Sequence, residues 1–451
     1  MTTTLSRRLR LGYASGGIAT GAFGTVPGLL LLPYLTDSLG IAAATAGLVV
    51  FLPKAWDVVA NPITGRLSDR FAGRHGSRRP FLLWGGLALA VSFALLFSGP
   101  HAPPLLAGAW VVVVFLLCAT AYSVFQVPYV ALPAELTGDY AERTRLLTWR
   151  VAVLAVAILA SGATAPLIRL AVGGAAGYRA MAVFVALLIT VGAVGAYVGT
   201  RGAPAPVRPA PPGGLLTQLR LAWSVRDFRL LLTTFGVQAL GIGAMLAGVD
   251  YVARVVLRQS TASSILFACF VGPALLVTPV WQRVGGRAGK KRGYRLSSLV
   301  LTVGALGLVG AGHLPVIMVY ALTAVTGIGY AGGQLFPLAM LPDTAGADAA
   351  RTGENRIGVF TGVWTAGETL GLALGPGLYA VVLAVGGYRS SLGGDLAQPA
   401  SAATAITVGF SVLPAALIML SLLALRGYAL TRDDVQEASP PVMITDDHDQ
   451  Q

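Results

Sequence analysis

Twelve stretches of this chain stay apolar for close to twenty residues or more: roughly 11–34, 42–65, 80–99, 104–132, 149–172, 178–200, 229–256, 262–282, 294–312, 314–341, 355–385 and 403–426. An α-helix needs about 20 such residues to cross the hydrocarbon core of a bilayer. Lipid offers the backbone no hydrogen-bond partners, so runs of this kind are compatible with helices and with little else. Composition agrees, with 55% hydrophobic and only 11% charged residues, where a soluble domain carries about 25% charged. The expected fold class is an all-α membrane protein with 12 transmembrane helices. Glycines recur inside the runs, as in GIGAMLAG (241–248) and GLALGPG (371–377), and small residues let helices in lipid approach closely.

The formal net charge of +13 would point to nucleic acid in a soluble protein. Here the basic residues sit in short loops between apolar runs, so they read as an orientation signal and no nucleic-acid partner is expected. They gather at the N-terminus and in the loops after spans 2, 4, 6, 8, 10 and 12. The opposite side holds only Arg169, Arg179, Arg254, Arg258 and Arg389. This bias places the chain in the cell membrane with both termini in the cytoplasm and the lipid bilayer as a partner. A cleavable signal peptide over residues 1–34 is the weaker alternative, because the apolar run is too long and no small-residue cleavage site follows. Cys118 and Cys269 lie within apolar runs, which argues against a disulfide framework. His75, His101, His313 and His448 lack metal-like spacing. No catalytic or metal constellation is visible, so neither an enzyme nor a bound cofactor is expected.

The chain divides in two. Residues 201–228, RGAPAPVRPAPPGGLLTQLRLAWSVRDF, begin as a Pro/Ala/Gly linker and end as a short amphipathic helix, a semi-rigid spacer. It leaves six spans in 1–200 and six in 229–430, with an acidic tail, 431–451, expected to be disordered. The halves echo each other: NPITGRLSDRFAGRHGSRR after span 2 has a degenerate partner, TPVWQRVGGRAGKKRGYR, after span 8. Two matching six-span bundles around a central site are a usual build of alternating-access transporters.

Chemistry concentrates in Phe51 to Pro80, FLPKAWDVVANPITGRLSDRFAGRHGSRRP. Lys54, Asp57 and Asn61 are three and four residues apart and so share one helix face. A charge at the bilayer centre costs about 2.5–3.5 kcal/mol on insertion scales, so Lys54 and Asp57 are expected to face the bundle interior and pair. Asp57 is then a carboxyl whose protonation can change as a cavity opens to either side; the alternative is a static ion pair. With Asn61 the site has one carboxylate and one amide, which favours a proton over sodium as coupling cation. Glu368, four residues after Trp364, is the only mid-span acid of the second half. It is read as binding substrate, taking a second proton, or bonding to neighbouring helices.

Gln126, Tyr122, Tyr129, Arg150, Gln334 and Trp364 are polar or aromatic residues on spans expected to line a cavity. Apolar walls with a few placed polar groups are the normal form of a small-molecule site, though each aromatic can equally serve packing. Gly65, Asp69, Arg70, Arg78 and Arg79 form a candidate gate, bonding to the other half when the cytoplasmic side closes. Topology alone accounts for the arginines but not for Gly65 and Asp69. Asp250 and Arg254, four apart near the outer end of span 7, are expected to make a surface pair.

Gly65-Arg66-Leu67-Ser68-Asp69-Arg70 and the basic run after it resemble the loop motif of the major facilitator superfamily. More narrowly, the chain resembles the glycoside–pentoside–hexuronide:cation symporter family. The matches are Tyr34-Leu35-Thr36-Asp37, Trp56-Asp57 with Asn61-Pro62, Val127-Pro128-Tyr129 leading to Glu135-Leu136-Thr137 and Glu142-Arg143-Thr144, and Gly387-Tyr388. The GSRRPF run (76–81) is also similar to plant sucrose–proton symporters. The resemblance implies symport of a small organic solute, such as a sugar or glycoside, with a cation, by a monomer that rocks around a mid-membrane site. Lys54, Asp57 and Arg150 occupy family positions. The second cation-binding aspartate is replaced by Asn61, the two sugar-gripping aspartates by Gly21 and Gln126, and a family lysine falls near Thr369, so the family's sugar clamp is absent. An exporter or a lysolipid or amphiphile transporter of the same fold is the first alternative, and a non-transporting membrane receptor the second.

Overall fold

A computed structural model describes residues 5–137, 140–202, 215–352, 357–393 and 396–430. Its helices form where the apolar runs predict them, and no strand occurs among the described residues. α1 (Arg7–Asp37) starts at Ser6, whose hydroxyl accepts the Leu9 amide at 3.3 Å as an N-cap. α2 (Ala43–His75) ends on Gly76, where φ is +74°, the left-handed cap that glycine adopts without a Cβ penalty. That sharp stop lets α3 (Pro80–Leu96) begin at once, with proline in its first turn, where a missing N–H costs nothing. α4 (Pro104–Leu136), α5 (Tyr140–Val172) and α6 (Gly174–Thr200) complete the first half.

α7 (Leu215–Ser224) is the short helix that follows the linker, whose residues 203–214 lie outside those described. The second half comprises α8 (Arg226–Tyr251), α9 (Ala262–Ala288), α10 (Lys290–Gly307), α11 (Val316–Thr352), α12 (Ile357–Val385), α13 (Ala400–Phe410) and α14 (Val412–Arg426). α13 and α14 act as one span broken at Ser411; Pro414 has no N–H to give the Phe410 carbonyl. The expected tail, 431–451, also lies outside the described residues.

Among the described residues, eleven helical stretches are long and apolar enough to cross a membrane, against the twelve expected. The stretch that differs is the third: α3 has 17 residues and ends just before Ser98-Gly99-Pro100, a sequence that favours a turn over helix. α3 nonetheless packs lengthwise between α4 and α6.

Within the first half α1 lies against α5 and α6; within the second, α8 lies against α12 and α14, and α11 against α9 and α10. The halves meet through α2 on α12, α5 on α9 and α1 on α8. Close approach is built on glycine. A Cβ on Gly12 would overlap the Gly199 backbone where α1 crosses α6. Backbone cannot rotate away as a side chain can, so Gly12→Ala must push the helices apart. Overpacking of this kind costs about 1–3 kcal/mol. The expected outcome is a lower thermal midpoint of the purified protein in detergent; an unchanged midpoint would mean that the contact gives way freely.

Candidate functional site

Lys54, Asp57 and Asn61 occupy successive turns of α2. Asp57 is 3% exposed, and its Oδ1 has no hydrogen-bond partner among the described residues. The expected direct pairing with Lys54 is not what holds it. The Lys54 ammonium lies 4.9 Å from the ring centre of Phe23, 5.9 Å from Phe115 and 6.0 Å from Tyr122, a set of π faces that attracts a cation. Lys54 therefore acts on Asp57 through space while aromatic rings from α1 and α4 hold its head. Asn61 is exposed, and its Oδ1 accepts the Ser123 hydroxyl at 2.6 Å. Trp56 Nε1 donates to Thr120 at 3.0 Å, so α2 is tied to α4 on both sides of Asp57.

Tyr122 connects the remaining elements. Its ring lies 4.7 Å from Phe23, and it is within electrostatic reach of Asp57 on α2, Arg150 on α5 and Glu368 on α12. Arg150 stacks over Tyr129 at 5.1 Å, and its Nε has no hydrogen-bond partner among the described residues. Tyr129 is itself fixed, donating to the Tyr13 carbonyl at 2.9 Å. Gln126 Oε1 accepts Thr20 at 3.0 Å. Across the molecule, Tyr330 stacks on Phe270 at 4.9 Å, bonds to Gln334 and lies within electrostatic reach of Glu368. Sequence reasoning missed Tyr330, whose one signal was its place a helical turn before Gln334. Trp364, by contrast, is 1% exposed and stacked on Phe235 at 4.5 Å, so it sits in packing and not on open space. The arrangement thus brings Asp57, Tyr122, Arg150 and Glu368 around one region where the halves face each other.

The loop charges bond within the first half. Arg78 bridges Asp69 at 3.0 Å and Glu135 at 2.6 Å, fastening the α2–α3 turn to the end of α4. Arg79 donates to the Arg201 carbonyl at 3.0 Å. Arg70 is exposed. A Cβ on Gly65 would meet only Val127, at 3.7 Å, so close packing does not require glycine there.

The interhalf bonds gather at the other end of the bundle, around Asp250 and Arg254, the pair that sequence reasoning placed on the surface. Asp250 is 0% exposed, which corrects the expected surface pair. It does pair with Arg254, Nε to Oδ2 at 2.7 Å, but it also takes Arg169 from α5 in a two-pronged contact at 2.8 and 3.1 Å. Ser263 adds a hydrogen bond at 2.9 Å, and Tyr178 accepts from Arg169 at 3.1 Å. Arg254 continues to Asp37 at the end of α1, and Tyr388 donates to Asp37 at 2.8 Å. The Ser391 and Gly393 amides donate to the Thr36 and Asp37 carbonyls, both at 2.9 Å, while Thr36 and Tyr251 share a hydrogen at 2.7 Å. Two arginines and two aspartates neutralise one another there, and α8 passes into a π turn, Val252–Val256, which carries Arg254. Arg169 and Arg254 interrupt apolar runs on the side poor in basic residues, and intramembrane charge of that kind is by default functional; that signal was present in the sequence.

A family model described as MFS/sugar transport protein matches residues 12–432. An uncharacterized symporter of Synechocystis sp. is 26% identical, with 94% of each chain covered. The isoprimeverose transporter of Lactiplantibacillus pentosus is 23% identical over 94% of this chain and 88% of its own. Among solved structures, a bacterial homolog of the human lysosomal transporter Spinster, in an inward-facing and occupied conformation, superposes with a TM-score of 0.68 at 12% identity, covering 96% of this chain and 97% of that one. That likeness shows the fold, and the family match runs from within α1 through α14 and takes in the polar residues between the halves. The chain belongs to the MFS/sugar transport family, the major facilitator branch that its α2 motif and its α1 and α12 end motifs resemble.

Proposed function

We propose that the protein is a cation-coupled symporter of a small hydroxyl-rich solute, of sugar or glycoside class, working by alternating access between bundles 1–200 and 229–430. The observation that carries this reading is Asp57: a buried carboxyl with an unsatisfied oxygen, facing a caged cation, in a region where both halves contribute polar groups. Such a group can take up a cation while the cavity is open to water and carry it as the cavity closes, which is what coupling requires. A proton is the preferred cation, because Ser123 already occupies one lone pair of the Asn61 oxygen and leaves few hard ligands for sodium. The names of a putative glycoside/cation symporter and of the isoprimeverose transporter among the relatives support the sugar class. The basic ends of the helices face the cytoplasm on this reading, and the Asp37–Arg254–Asp250–Arg169 network closes the outer side.

The test is uptake into proteoliposomes under separate ion gradients. Accumulation driven by a proton gradient, unchanged by sodium, is the expected result; dependence on sodium alone overturns proton coupling. Glu368→Gln is expected to abolish uptake or change its pH profile, since Glu368 lies near both Tyr122 and Tyr330. Normal uptake with an unaltered profile would leave Glu368 a structural residue.

A further inference from the structure

At the basic end of the second half a cavity of about 880 Å³ opens between the end of α9, the start of α10, the inner turns of α11 and Tyr428–Leu430. Its rim is cationic: Arg287, Lys290, Lys291, Arg292 and Arg295 against the single acid Asp343. Two of the cations are engaged. Lys290 bonds to Asp343 at 2.6 Å, and Lys291 donates to the carbonyls of Arg426 and Tyr428. Arg287, Arg292 and Arg295 have no carboxylate partner among the described residues. The accessible floor is apolar, built from Leu335, Ala339 and Leu430, while Phe336 and Met340 are almost wholly buried. Since α9 ends and α10 begins at this rim, the cavity stands where two spans leave the apolar layer.

We propose that this cavity is a binding site for an anionic phospholipid, its phosphate held by Arg287, Arg292 and Arg295 and its upper acyl chain laid on Leu335 and Ala339. The argument is charge complementarity combined with depth. Three guanidiniums without carboxylates need anionic oxygens, and arginine matches phosphate with paired N–H donors. A free phosphate would leave the apolar floor wet, whereas a lipid covers it. Basic pockets between helices on the cytoplasmic side suit such headgroups. The proposal does not depend on the transported solute, because its readout is binding.

The experiment is titration of the purified full chain with dioctanoyl phosphatidylglycerol, dioctanoyl phosphatidylcholine and inorganic phosphate, read by thermal shift and native mass spectrometry. Phosphatidylglycerol is expected to bind and raise the thermal midpoint, with the other two ineffective. Each surface cation contributes roughly fivefold in affinity, so combined R287Q, R292Q and R295Q should weaken binding about a hundredfold. If that variant fails to fold, Gly286→Leu serves instead: Gly286 lines the cavity, and a Cβ there meets nothing within 4 Å. It puts apolar bulk into the site without removing charge and should also weaken the shift. Equal binding of phosphatidylcholine, saturation by inorganic phosphate alone, or unaltered binding by either variant overturns the proposal. So does binding seen only after truncation at Leu430, which would make the chain's own acidic residues the occupant.

Discussion

Asp57→Asn is expected to leave a protein that inserts, binds its solute and exchanges it across the membrane, but no longer concentrates it. Asparagine keeps the shape of the side chain and removes its ability to gain or lose a proton. The carboxyl it replaces is buried, lacks a hydrogen bond at Oδ1 and sees Lys54 only at a distance, because Phe23, Phe115 and Tyr122 hold the ammonium. Little packing or bonding energy is therefore lost, so folding should tolerate the change. The coupling step should not. Gradient-driven accumulation in proteoliposomes is expected to fall at least about tenfold, the equivalent of ~1.4 kcal/mol of lost coupling, while equilibrium exchange of labelled solute continues. Loss of both activities would indicate a solute-binding or structural role, and retention of accumulation would remove Asp57 from the coupling site. Lys54→Gln offers the complementary test, since without the cation a charged Asp57 has no compensating partner nearby.

The fold was legible because lipid leaves an apolar backbone almost no choice. Runs of about 20 apolar residues must be helical, and the helices coincide with those runs, although α2, α5 and α11 extend well beyond theirs into polar sequence. The third span came out short because its apolar count includes residues beside Ser98-Gly99-Pro100, and hydropathy alone does not register a turn. The site was legible to the extent that spacing along one helix determines who shares a face. That placed Lys54, Asp57 and Asn61 together, yet it could not show that rings from α1 and α4 would capture the lysine. Asp250 makes the same point. Its partner four residues away was visible, whereas Arg169, at a separation of 81 residues, and Ser263 on α9 became neighbours only through packing between halves. The contacts that turned a presumed surface pair into a buried network are tertiary, and no local pattern encodes them.

That network makes Asp250→Asn the second change with a large expected effect. The native carboxylate receives Arg169 through two N–H groups, Arg254 through its Nε and Ser263 through its hydroxyl. Asparagine preserves the volume and some of these bonds but removes the negative charge. Arg169 and Arg254 are then two cations sharing one buried site with only Asp37, among the described residues, to offset them. Breaking a buried pair by removing one partner costs about 3–5 kcal/mol, and here the cost falls on the arrangement in which the two halves touch at this end. If the halves move as rigid bundles, separation relieves the repulsion by letting water reach both arginines. Spin labels at Leu105→Cys and Leu396→Cys, both exposed and on opposite halves, placed in a chain without Cys118 and Cys269, should report a longer distance in the variant than in its parent. Adding Arg169→Gln should bring the distance and the thermal midpoint part of the way back, because it restores charge balance without restoring the bonds. A distance that does not change, or a loss of stability that Arg169→Gln deepens, would mean that the network staples one bundle to the other permanently and does not serve as a gate.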